Sequence, residues 1–127
     1  MRMALYQAGD VGRRWDPQIA AVYYREMVYH GKNHKQAMGA VMSHLGARVL
    51  TVLKQDRPYE LRDIEGNPIS KKDARKLILA KYQVSEEIRR ERRRRNSKVS
   101  KDRETATYRK NEAAKAPQPV PVQAVSR

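Results

Sequence analysis

One stretch constrains the fold more than any other: His34 to Lys54, HKQAMGAVMSHLGARVLTVLK, in which Met38, Val41, Met42, Leu45, Val49, Val52 and Leu53 recur at helical spacing. The spacing lays one apolar stripe along several turns. Each such side chain gains roughly 1.5–3 kcal/mol on burial, enough for the stripe to anchor a small core against the entropy of ordering. Gly39, Ala40, Gly46 and Ala47 lie off the stripe. A helix-interior glycine costs about 1 kcal/mol relative to alanine, so the two glycines predict another backbone packed closely there. The stretch reads as a central helix with neighbours on more than one side.

The segments around it carry their own punctuation. Met1, Ala4, Leu5, Ala8, Val11 and Trp15 have helical spacing, and the period is already running at Met1 with no capping residue ahead of it, as if the helix once began earlier. Asp16-Pro17 is a stronger start signal, an N-cap followed by proline at the first helical position. Ala20, Tyr23, Tyr24 and Met27 then form one face, Gly31 stands where a left-handed cap belongs, and Asn33 can cap the central helix. Residues 16 to 54 therefore predict an antiparallel helical hairpin. Past Lys54 the period changes, and Glu65-Gly66-Asn67-Pro68 makes Arg57 to Ile69 either a small β-hairpin or an extended loop. Ser70 with Asp73, then Ser85 with Glu86 and Glu87, open two further helices.

Arg89 begins the run RRERRRRNSKVSKDRE, which can extend the last helix by a few turns. After about Lys98 the apolar surface is too sparse to offset ordering entropy, and Pro117, Pro119 and Pro121 favour extended conformations, so a disordered tail is expected. The fold class is mainly α: a small helical domain over 1–88, then a basic extension and tail over 89–127.

The net charge of +14 is uneven: residues 1–54 carry +5, residues 55–88 balance to zero, and residues 89–127 carry +9. Such a surplus favours polyanionic partners, nucleic acid first and an acidic membrane surface second. With no cysteine, thiolate zinc sites and disulfides are excluded, and the composition suits a reducing cytoplasm. No apolar run approaches the roughly 18 residues of a membrane span.

Catalytic chemistry finds little purchase. His30 and His34 are four apart but separated by Gly31 and a turn, which spoils a shared helix face for zinc, and His44 reads as a structural or DNA-facing residue. Ser70 and Ser85 are explained by capping, and Ser43 has no evident base or oxyanion donor nearby in sequence. Asp56, Asp63, Glu65 and Asp73 are interleaved with lysine and arginine, a solvated surface rather than a metal cluster. The strongest functional signal is the basic run Arg89, Arg90, Arg92, Arg93, Arg94 and Arg95, which suits a phosphate backbone. Arg2, Arg13, Arg14, Lys32 and Lys35 add candidate contacts by charge. Tyr6, Tyr23, Tyr24 and Tyr29 can stack on bases, yet their helical spacing favours packing.

Five segments in order carry a resemblance: Met1 to Gly9 (MRMALYQAG), Trp15 to Arg25 (WDPQIAAVYYR), His30-Gly31-Lys32 with the apolar helix after it, Arg57 to Asp63 (RPYELRD), and Tyr82 to Arg90 (YQVSEEIRR). Together they resemble the C-terminal end of IS-one-ten family insertion-sequence transposases, relatives of the Piv-type DNA invertases, over roughly residues 1 to 95. The resemblance implies a DNA recombinase whose full-length form joins a RuvC-type domain, bearing an acidic metal site for a divalent ion such as magnesium, to a domain with a nucleophilic serine. In some members a structured RNA guides the enzyme. The serine segment precedes the text matched at Met1, so no catalytic residue and no cofactor carries over to this chain. The expectation is a truncated, DNA-binding transposase fragment in the cytoplasm, not catalytic alone. Two others stand beside it: a module that docks on itself or on an intact transposase, and part of a longer active recombinase with a mis-called start.

Overall fold

The computed structural model describes residues 2–117 and divides into two units, Met1–Arg94 and Arg95–Arg127. In the first unit, α1 (Arg2–Trp15) is followed at once by α2 (Pro17–Tyr24). Asp16 makes this corner: its backbone is extended, and its carboxylate accepts the amides of Gln18 at 3.0 Å and Ile19 at 3.5 Å, while Pro17 takes the first helical position. The last turn of α2 widens into a π-helical turn, Arg25–Tyr29. Gly31 at φ +64° then reverses the chain in the left-handed region that glycine tolerates. Asn33 completes a capping box with Gln36 and starts α3 (His34–Gln55). The predicted helical hairpin is present, with the π turn as the feature its sequence does not announce.

Among the described residues there is no strand between α3 and α4 (Lys71–Lys81), so the extended loop is the form adopted. A single antiparallel bridge joins Arg62 to Pro68, with Gly66 at φ +87° in the turn. Proline has no N–H with which to continue a ladder, and the pairing stops at Ile69 N–H donating to the Leu61 carbonyl at 3.1 Å. Ser70 caps α4 by accepting the Asp73 amide at 3.2 Å. Ser85 accepts the Ile88 amide at 3.3 Å at the start of α5 (Glu86–Lys115).

The core sits where α1, α2 and α3 meet, with α4 against α1 and α2. Ile19, Val22, Tyr23 and Met27 face Ala37, Met38 and Val41, with Val84 closing the cluster and Tyr6, Tyr24, Val28, Ala40 and Ile88 at its edge. Two sequence expectations for α3 are corrected here. The apolar stripe buries only its first half: Val49 and Leu53 stay 47 and 73 % exposed, because α1 and α2 do not cover the C-terminal turns. Gly39 and Gly46 face open space, with nothing among the described residues within 4 Å of the position a Cβ would take, so neither admits a neighbouring backbone. The close approach occurs at Gly9 of α1, where an added Cβ would meet Val41 Cγ1 at 3.0 Å and Met38 Cε at 3.4 Å.

α5 continues past Lys98 to Lys115, a correction to the disordered tail that sparse apolar content predicts. No glycine or proline lies between Glu86 and Lys115, and Glu, Arg, Lys and Ala are good helix formers, so local propensity sustains a helix that buries no residue. Pro117 follows the helix end. Pro119 and Pro121, and the helical reading of Met1, lie outside the described residues. The sequence boundary between residues 88 and 89 falls inside α5, whose residues up to Arg94 belong to the first unit.

Candidate nucleic-acid interface

Arg13 is the innermost of the candidate cations. Near the end of α1, its guanidinium lies 4.6 Å from the centre of the Tyr23 ring and pairs with Asp10 at 2.7 Å, leaving the side chain 12 % exposed. Arg14 pairs with the other Asp10 oxygen at 3.2 Å. Burial raises the Asp10 pKa, but Arg13 and Arg14 outweigh it and hold the carboxyl below its usual value.

Behind Arg13, His34 bridges two tyrosines: its Nε2 lies 3.0 Å from the Tyr6 hydroxyl and its Nδ1 2.8 Å from that of Tyr23. A neutral imidazole donates to one hydroxyl and accepts from the other, which matches both oxygens with a single ring proton. Burial first, then Arg13, Arg89 and Arg93, lower the His34 pKa against the opposing pull of Asp10. Burial likewise pushes the Tyr23 hydroxyl up, although Arg13 and Arg89 oppose it.

A cavity of about 270 Å³ opens beside this network, lined by Arg13, Arg14, Tyr23, Arg75, Tyr82 and Arg89 among others. Arg75 comes from α4, where its Nη1 donates to the Arg14 carbonyl at 2.8 Å and its guanidinium lies 5.3 Å from the Trp15 ring centre. Arg89 arrives from α5, and its Nε is buried with no hydrogen-bond partner among the described residues. The fold therefore gathers Arg13, Arg14 and Arg89, three of the cations proposed on charge alone, and adds Arg75. That fourth residue escapes a reading by charge because it lies in a charge-balanced region, although its spacing from Ile78 and Ala74 marks it as flanking the buried face of α4.

The other candidates are placed differently. Arg92 turns back to the core, its Nε donating to the Met27 carbonyl at 3.3 Å. Lys32 pairs with buried Glu26 at 2.5 Å, and this contact, ahead of burial, sets the Glu26 carboxyl below its usual pKa. Arg2 and Lys35 are exposed. Arg90 makes a loose pair with Glu86 at 3.8 Å, while Arg93 and Arg94 are exposed within the first unit. Arg95 opens the second unit, which is helical to Lys115 and exposed throughout that helix.

A larger groove of about 740 Å³ runs between α3 and the loop after it, lined by Arg48, Arg57, Arg62, Tyr59 and Glu60 among others. Its cations are already engaged. Arg48 donates to Asp16 at 3.0 Å and to Gln18 at 2.7 Å, Arg57 to Gln55, and Arg62 to Glu60 at 3.3 Å. Tyr59 also donates to Asp16, whose pKa burial raises despite the Arg48 charge.

The residues weighed for catalysis are dispersed. His30 pairs with Glu26 and His34 with the two tyrosines, so the histidines do not converge, and the Ser43 hydroxyl donates to the Gly39 carbonyl. Among the described residues no three His, Asp or Glu groups form a metal site. Among those residues no helix is long and apolar enough to cross a membrane. Comparison with known protein families, curated proteins and solved structures found no match.

Proposed function

We propose that this chain is a nucleic-acid-binding helical module, the C-terminal portion of an insertion-sequence transposase of the IS-one-ten kind, without catalytic machinery of its own. The observation that carries the binding reading is α5. It holds twelve lysines and arginines against six carboxylates and buries no residue along its length. Beyond its first turns, where Ile88, Arg89 and Arg92 meet the core, a helix so charged is exposed and can follow a phosphate backbone by releasing condensed counterions. The transposase assignment rests on the five ordered segments of sequence.

DNA is the first partner under this reading, with a structured guide RNA as the second. Fluorescence anisotropy of a labelled duplex tests it. Replacing Arg90, Arg93 and Arg94 together by glutamine should weaken binding at least tenfold while leaving the helical circular dichroism intact. Unchanged affinity in that variant would remove α5 from the interface.

A further inference from the structure

The cavity between α1, α2, α4 and the start of α5 combines two properties that an anion site needs. It concentrates positive charge: Arg13, Arg14, Arg75 and Arg89 line it, no carboxylate among the described residues does, and Asp10 outside it offsets only one of the four charges. It is partly preorganised, because the Tyr23 ring and Asp10 hold Arg13 while the Arg14 carbonyl and Trp15 hold Arg75. A tetrahedral oxyanion suits such a lining, because guanidinium groups pair with it through forked, charge-assisted hydrogen bonds.

We propose that this pocket is a phosphate-binding site. Its cavity equals the share of roughly nine waters at about 30 Å³ each, so a phosphate enters with room for the sugar or second phosphate attached to it. The depressed His34 pKa fits the same picture, because after burial its causes are Arg13, Arg89 and Arg93. The phosphate belongs to a nucleic acid or to a free phosphate compound. Only the first of these sources rests on the function proposed above; the site itself does not.

Trp15 is the chain's single tryptophan, and Arg75 sits over its ring, so occupancy that draws on Arg75 changes Trp15 emission. The full chain is titrated with inorganic pyrophosphate and with a 5′-phosphorylated single-stranded thymidine hexanucleotide. Both should give a saturable change, with pyrophosphate displacing the hexanucleotide from the pocket. Arg89→Gln and Arg75→Gln should each weaken both ligands at least tenfold at unchanged circular dichroism. Should Arg89→Gln fail to fold, Arg75→Gln carries the same comparison from a more peripheral position. Pyrophosphate binding without hexanucleotide binding supports the site and assigns it to a free phosphate compound. The site is overturned by the absence of a saturable response, or by variants that bind both ligands as the unaltered chain does. Duplex affinity that persists through α5 in that case leaves the nucleic-acid reading standing.

Discussion

His34 shows how one residue ties the hairpin together and makes it sensitive to acid. Its imidazole joins Tyr6 of α1 to Tyr23 of α2 across the first turn of α3, and protonation replaces a matched donor and acceptor by two donors beside Arg13. Because the folded pKa lies below the ordinary 6.5, the unfolded chain binds more protons just under that value. The stability His34 contributes is therefore complete above about pH 6.5 and is lost as pH falls towards the lower folded value. Asp10 and Glu26, whose pKa values are depressed, lose theirs only at still lower pH. Thermal melts should be flat from pH 8 to 7 and fall as the pH drops below 6.5. His34→Gln should flatten that interval; a retained slope would assign it to another group. At this scale the caps at Asp16, Asn33, Ser70 and Ser85 are readable from sequence, since each is a local bond between a short polar side chain and amides two or three residues on. The His34 bridge is not, because its partners are eleven and twenty-eight residues away.

Among elements, α3 separates what periodicity reveals from what it leaves open. The stripe from Met38 to Leu53 does specify a helix, but the extent of its burial depends on the lengths of α1 and α2, which leave Val49 and Leu53 uncovered. The glycines reverse in the same way: Gly39 and Gly46 look like contact points in sequence and face open space, whereas Gly9 makes the close approach to Val41. Gly39→Ala and Gly46→Ala should each stabilise by about 0.5–1 kcal/mol, through helix propensity alone. Gly9→Val should destabilise by about 1–3 kcal/mol, because the side chain meets Val41 and Met38 in a filled core. Urea unfolding distinguishes the two classes. A stabilising Gly9→Val would mean that α1 and α3 are not so closely packed. The helical continuation of α5 escapes the sequence for a related reason: sparse apolar residues exclude burial, but they do not exclude a helix sustained by propensity.

For the molecule as a whole, charge is the legible quantity and its spatial grouping is not. The excess in residues 89–127 points to a polyanion, and the fold then draws Arg89 away from its run to join Arg13, Arg14 and Arg75 at one cavity while Arg92 anchors to Met27. Such regrouping depends on tertiary placement, which no spacing rule encodes. The central claim is that this chain binds nucleic acid chiefly through phosphate contacts, and the salt dependence of its affinity tests it most directly. Six or more neutralised phosphates imply that log K falls against log salt with a slope of about −5 or steeper on a DNA duplex. That slope, measured by anisotropy from low to physiological salt and reduced by about one for each phosphate-contacting arginine replaced, is the predicted result. No binding at low salt, or an affinity indifferent to salt, would contradict the account.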